Sequence, residues 1–280
     1  MHPMDEYGTV KAFGRLRSVL MHRPYYEFDL VKDPSKWGFM AKPNKDKAAA
    51  EFDSLVDVLK QNGVEVHTVQ TSRAPPPNLY YTRDLGVCTT NGLILANFRA
   101  TYRQGEELYL QIMADELGIP IFGEIRNVFF EGGDLVQIDD TTAAVGLERT
   151  SFGGYQEISE FVDMELLPVP HREEFAHLDV VFNMVSEQLC VACSKALPSE
   201  FTDFLAAEEI EITDITIEQE KELSADVLML EPNKVIIGEA CTDAIKALEA
   251  KGVDVIPVPL HELKKGKGGP GCLTFTLLRK

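Results

Sequence analysis

The stretch Asn127-Val128-Phe129-Phe130-Glu131-Gly132-Gly133-Asp134-Leu135-Val136-Gln137-Ile138 decides how the chain is read. Phe129 and Phe130 end one apolar run, and Leu135 to Ile138 begin another. Two glycines between them let the backbone turn sharply or approach another strand closely. Glu131 is therefore a carboxylate set at a strand end on an apolar scaffold, and Asp134 is a second one three residues on. A buried carboxylate is costly unless it is paired or meets a cation. Alone, the two could be ordinary turn carboxylates.

Outward from Asp134 the same order of elements recurs. Arg83-Asp84-Leu85, Gly133-Asp134-Leu135, Leu178-Asp179-Val180 and Ala225-Asp226-Val227 each open a unit, and the Asp residues are 50, 45 and 47 apart. After each Asp come a short apolar run, a turn, and a second apolar run. The turns hold Asn91-Gly92, Asp139-Asp140, Ser186-Glu187 and Pro232-Asn233. Asn-Gly between two apolar runs is a strong hairpin signal. Helical spacing predicts helices over about 105–117, 155–162, 199–207 and 242–251, each followed by a strand. An N-terminal unit has a strand at 18–21, a helix over about 46–62 and a strand at 64–69, which makes five units. A period of 45–50 residues with constant element order marks a repeat architecture. The last strand, 273–278, would close the ring beside the first unit and remove exposed sheet edges. The expected fold is α/β: one domain over residues 1–280, a five-bladed pseudo-symmetric α/β propeller of repeated ββαβ units.

The 280 residues are 45% hydrophobic and 26% charged, ordinary for a globular protein. A formal charge of −18 argues against nucleic acid and anionic membranes as partners and would draw in small cations. Residues 1–6 lack the basic start and apolar run of a secretory signal, and no run approaches a membrane span. With an odd five Cys and no export signal, a reduced, cytoplasmic setting is expected rather than a disulfide framework.

In a ring of blades, equivalent strand ends meet at the axis. Those ends carry Asp84, Glu131, His177 with Asp179, and the loop Gly266-Lys267-Gly268-Gly269-Pro270-Gly271-Cys272. Cys with a His partner is a nucleophilic arrangement, and clustered carboxylates would bind a cation. Singly, Cys272 could be a buried small hydrophobe, His177 a core or capping residue, and the Asp residues turn formers. Their equivalent places in the repeat favour the site. Cys190-x-x-Cys193 lacks a second ligand pair of suitable spacing and reads as core. Gly268-Gly269-x-Gly271 precedes a strand and lacks the Lys-Ser/Thr of a phosphate loop.

Tyr81-Thr82-Arg83-Asp84, Phe130-Glu131-Gly132-Gly133-Asp134, Gly146-Leu147-Glu148-Arg149-Thr150-Ser151, His177-Leu178-Asp179 and Gly271-Cys272-Leu273-Thr274 resemble, in order, the motifs of the guanidino-group-modifying superfamily. That superfamily comprises arginine deiminase, dimethylarginine dimethylaminohydrolase and the amidinotransferases, and its fold is a five-bladed α/β propeller. The resemblance implies a cysteine-dependent hydrolase of L-arginine that gives citrulline and ammonia through a covalent thiouronium. It implies Cys272 as nucleophile, His177 as acid and base, and Glu131 orienting His177. Asp84 and Asp179 would grip the guanidinium, and Arg103 with Arg149 the α-carboxylate. No metal or organic cofactor is implied. The partner is a small guanidino amino acid, and a homo-oligomer is left open.

Dimethylarginine hydrolases typically lack the Asp of His-x-Asp, so Asp179 favours unmethylated arginine, although the chain's length resembles those enzymes. Dihydrolases that run on to ornithine carry Asn where Asp84 stands. The alternatives are release of dimethylamine from dimethylarginine, and, more remotely, a non-catalytic protein on the same ring. A ribosome-associated initiation factor shares that fold without the Cys–His pair.

Overall fold

The computed structural model describes residues 6–69, 71 and 75–280. The first five residues, part of the stretch read as carrying no secretory signal, lie outside them. β1 (Gly8–Thr9) is followed by β2 (Leu16–Met21), α1 (Lys45–Gln61) and β3 (Glu65–Thr68). The second unit is β4 (Gly86–Thr89), β5 (Gly92–Leu95), α2 (Glu107–Leu117) and β6 (Ile121–Glu124). The third is β7 (Leu135–Gln137), β8 (Thr142–Gly146), α3 (Phe152–Ser159) and β9 (Glu165–Val169). The fourth is β10 (Phe182–Ser186), β11 (Leu189–Ala192), α4 (Ser199–Ala207) and β12 (Glu211–Asp214). After a single turn, α5 (Ile217–Glu220), the fifth is β13 (Leu228–Glu231), β14 (Lys234–Gly238), α6 (Thr242–Ala250) and β15 (Asp254–Val258), and β16 (Phe275–Arg279) ends the chain.

Among the described residues five separate small sheets result, as a five-bladed propeller requires. In units two to five the first strand pairs antiparallel with the second through a short turn, and the second pairs parallel with the third across a helix. That alternation follows from the connections: a tight turn allows only antiparallel neighbours, whereas a helical crossover returns the chain parallel. The middle strands β5 and β11 are buried throughout, which explains their unbroken apolar runs. The turn residues act as the sequence implied. Asn233 takes a left-handed φ of 60° between β13 and β14, a conformation Asn tolerates.

The ring closes as expected. β16 pairs antiparallel with β2 and parallel with β1, so the last strand supplies the first strand of the first blade. The first strands neighbour one another around the axis, β16 against β4, β7 against β10, and β10 against β13. Each begins at the same end of the ring, and that end carries the motif residues.

Boundaries shift where side chains cap. α3 begins at Phe152 rather than near 155, because Ser151 accepts the Gly154 N–H. α2 begins at Glu107, since the preceding residues form turns that bury Glu106. Two 3-10 turns, Tyr26–Leu30 and Pro34–Trp37, were not foreshadowed by periodicity. They bring Phe28 and Phe39 against Tyr80, with ring centroids 5.4 and 6.3 Å away. No helix among the described residues is long and apolar enough to cross a membrane.

Candidate active site

Three of the repeat aspartates sit in short 3-10 turns that feed the first strands: Thr82–Leu85, Gly132–Asp134 and Leu178–Val180. Asp84, Asp134, Asp179 and Asp226 are all buried. Asp134 is satisfied by the fold, accepting the Thr150 N–H and hydroxyl and the Leu178 N–H, which ties the third unit to the fourth. The other three converge on Cys272.

The glycine pair explains how they converge. A Cβ on Gly132 would lie 2.2 Å from the Gly86 carbonyl oxygen. A Cβ on Gly133 would lie 2.5 Å from Asp84 Oδ1, 3.0 Å from His177 Cγ and 3.2 Å from Asp179 Oδ1. One point thus has two carboxylates and an imidazole around it, and only glycine leaves it empty.

His177 Nε2 is 2.7 Å from Glu131 Oε2, and its Nδ1 is 3.5 Å from Asp84 Oδ1. The Arg99 N–H donates to the other Glu131 oxygen at 3.0 Å, which fixes that carboxylate. Burial alone would lower the His177 pKa, but Asp84 and Glu131 outweigh it and raise it to about 10. Burial pushes the Glu131 pKa up, yet the hydrogen bond and charge of His177 pull it down to about 2. The two form a buried imidazolium–carboxylate pair.

Cys272 Sγ lies 4.0 Å from Asp179 Oδ1. Burial, then Asp179, Asp226 and Asp84, drive the thiol pKa well above its ordinary value. The loop carrying Cys272 is pinned on several sides. Glu51 on α1 accepts the Glu262 and Leu263 N–H groups. The Tyr80 and Tyr81 hydroxyls donate to the Leu263 carbonyl, and the Gly268 N–H donates to the Tyr81 hydroxyl. Asp226 accepts the Gly269 N–H at 2.5 Å and the Gly271 N–H at 2.9 Å. Burial raises the Asp226 pKa to about 6 against these donors. Sequence reasoning marked Asp226 as a repeat residue but missed its contact with the nucleophile loop. Its place in the repeat was the available signal.

Arg103 and Arg149, expected as a pair, occupy unlike settings. Arg149 is half-buried and close enough to help lower the Glu131 pKa. Arg103 is buried and makes four hydrogen bonds: to Asp84 Oδ2 at 2.5 Å, two to Glu106 Oε2, and one to the Tyr81 carbonyl. A guanidinium has five N–H groups, so little of Arg103 is left for an incoming ligand. Glu106 was not anticipated; burial raises its pKa to about 7 although Arg103 lies against it.

Among the described residues Asp84 Oδ1 and Asp179 Oδ2 have no hydrogen-bond donor. Burial and then Asp226 drive the Asp179 pKa well above the usual carboxylate range. A pocket with this surplus of carboxylate suits a flat cation that donates on more than one edge. No group of three His, Cys, Asp or Glu side chains among the described residues is arranged to hold a metal ion. Cys190 and Cys193 are buried, and burial raises their pKa to about 12 and about 11, in keeping with core positions.

Comparison with known proteins agrees with this chemistry. A family model described as eukaryotic N,N dimethylarginine dimethylhydrolase matches residues 34–279. The uncharacterized protein YkgA of Bacillus subtilis is 26% identical over 283 residues, 99% of this chain and 98% of YkgA. The arginine deiminase of Treponema denticola is 26% identical over 257 residues, 74% of this chain and 62% of its own length. AgrE of Nostoc sp., a bifunctional arginine dihydrolase/ornithine cyclodeaminase, is 23% identical over 268 residues, 94% of this chain and 38% of AgrE. A crystal structure of AgrE with ornithine and NAD+ aligns with a TM-score of 0.82 at 24% identity, over 95% of this chain and 40% of that one. The chain thus spans less than two thirds of the deiminase and of AgrE.

Proposed function

The chain belongs to the eukaryotic N,N-dimethylarginine dimethylhydrolase family, within the guanidino-group-modifying superfamily, and from that premise we propose that it is a cysteine-dependent arginine deiminase. The family makes it a hydrolase of C–N bonds in linear amidines; the choice of L-arginine, giving citrulline and ammonia, is our reading. The observation that carries it is the pair of buried carboxylates whose Oδ1 atoms, on Asp84 and Asp179, face the same point beside Gly133, the Asp179 one 4.0 Å from the Cys272 sulfur and the Asp84 one without a hydrogen-bond donor among the described residues.

In this reading the arginine guanidinium enters between Asp84 and Asp179 through charge-assisted hydrogen bonds. Its positive charge offsets the carboxylates that hold the Cys272 proton, so the substrate itself favours the thiolate. The thiolate adds to the central guanidino carbon. His177, protonated and held by Glu131, gives a proton to the departing nitrogen as the C–N bond breaks. The neutral imidazole then takes a proton from water, whose hydroxyl adds to the thiouronium carbon. The C–S bond breaks, the hydroxyl proton passes to the departing sulfur, and citrulline is released. The Cys272 thiol and the His177 imidazolium are thereby restored, the proton first lost from the thiol having gone to solvent. Arg149 at the rim receives the α-carboxylate. Arg103 holds Asp84 in place, and its spare N–H can join Arg149. No metal or organic cofactor enters these steps.

The second reading is dimethylarginine hydrolysis with release of dimethylamine. The family match favours it, as does the position of Asp179 Oδ2, 3.6 Å from Arg83 Nε, which would let Asp179 turn from the substrate. The dihydrolase activity named for AgrE is disfavoured by Asp84. Incubation with arginine, monomethylarginine and dimethylarginine, with products identified by mass, tests the proposal. Citrulline and ammonia from arginine at the highest kcat/KM are expected. Preferential release of dimethylamine would replace our reading with the second.

A further inference from the structure

Behind the catalytic cluster a channel of about 360 Å³ opens at the opposite end of the ring. Its inner end is walled by Asp179, Gly271 and Thr274, and its outer rim carries Asn91, Asp140 and Asp163. Two arginines line it between these ends, Arg83 and Arg279. Arg279 is buried, and among the described residues its guanidinium donates only to carbonyls, to Gly14 O at 2.9 Å and Met229 O at 2.7 Å. No carboxylate among the described residues lies within 4.0 Å of it. Arg83 donates to Leu135 O and lies 3.6 Å from Asp179 Oδ2, on the far side of Asp179 from the thiol. Burial, and then the charge of Arg83, lower the Arg279 pKa to about 10, so the two cations feel each other.

A buried cation without an anionic partner is costly, and a second cation nearby adds to that cost. Solvation by carbonyls offsets part of it, and an anion in the channel would offset the rest. Asp140 is engaged elsewhere, its Oδ1 accepting the Ala12 N–H. We infer that the axial channel binds a small oxyanion, a phosphate or carboxylate, between Arg279 and Arg83. The anion brings its own negative charge behind Asp179 and draws Arg83 away from it, so less positive charge is left near Cys272. Occupancy of the channel is thereby felt at the nucleophile although the two sites open at opposite ends of the ring.

The test is calorimetric titration of the full chain with inorganic phosphate in a buffer free of other oxyanions. One saturable site is expected. Binding should weaken at least tenfold in Arg279→Met, which keeps the side-chain stem, and in Thr276→Phe, which narrows the channel that Thr276 also lines and leaves both arginines in place. Arg149→Ala, at the other end of the ring, should bind phosphate as the parent does. Phosphate should also slow iodoacetamide modification of Cys272 in the parent. Absence of saturable binding to the parent overturns the site. So does undiminished binding by whichever of the Arg279 and Thr276 variants folds, or loss of binding in Arg149→Ala. Unchanged alkylation with phosphate bound overturns the coupling to Cys272. None of these titrations depends on which guanidino compound the chain hydrolyses.

Discussion

Glu131→Gln removes the charge of the His177 partner. The one Gln oxygen can still accept the His177 Nε2–H at the 2.7 Å contact, while the Arg99 N–H, which the other Glu131 oxygen accepts in the parent, loses its acceptor together with the negative charge. A hydrogen bond to a charged group contributes about 1.5–3 kcal/mol. One pKa unit corresponds to about 1.4 kcal/mol, so the His177 pKa, held at about 10 in the parent, should fall by about one to two units. NMR titration of the imidazole measures this directly, and the alkaline limb of the rate profile should move down with it. Stability should respond in a defined window. The His177 pKa is raised on folding, so its contribution is full below its ordinary 6.5 and fades as pH rises toward 10. The Glu131 pKa is depressed, so its contribution is full above its ordinary 4.5 and is lost as pH falls toward 2. The stability deficit of Glu131→Gln in urea should therefore be greatest between about pH 4.5 and 6.5 and shrink near pH 10. A His177 pKa in the variant equal to or above that of the parent would refute the ion pair.

Cys272→Ala should abolish turnover with the melting transition unchanged, and substantial product from it would sink the covalent route. Arg149→Ala should raise KM for arginine by roughly one to two orders of magnitude, from the loss of a charge-assisted hydrogen bond of about 1.5–3 kcal/mol; kinetics like those of the parent would unseat Arg149 as the carboxylate ligand. Asp179→Asn removes the carboxylate 4.0 Å from Sγ, so the Cys272 pKa should fall and iodoacetamide modification should reach its plateau at lower pH. An unmoved profile would mean that Asp179 holds no charge there. Asp179→Ala should shift preference from arginine toward dimethylarginine in a direct competition, and an unchanged ratio would remove Asp179 as the discriminator.

What could be read in advance followed from local repetition. Each unit announces itself by an Asp, a hairpin turn and a helix, all within about 50 residues. The glycine pair at 132–133 signalled close approach, and the structure supplies what approaches: the Gly86 carbonyl on one side, Asp84, Asp179 and His177 on the other. What escaped were partners remote in sequence. Nothing near Glu51 tells that it holds the amides of residues 262 and 263, and nothing near Asp226 tells that its oxygens face the amides of residues 269 and 271. Glu106 lies three residues from Arg103, but a pair at that spacing is usually solvated, and burial was not evident from the surrounding pattern. The turns that carry Phe28 and lead into Phe39 lack the period of helix or strand, and packing of these two rings on Tyr80 gives them a place.

The blade that joins the two ends of the chain has a kinetic meaning. β16 must find β2 across more than 250 residues, the kind of pairing that forms late because the loop must be closed before the contact rewards it. Cys272 stands three residues before β16. The thiol therefore reaches its carboxylates only when the ring is shut, and before that it behaves as any exposed cysteine. Protection of Cys272 from a neutral alkylating reagent would then serve as a clock for folding: four blades could be built and helical while the last modification site still reports an open circle.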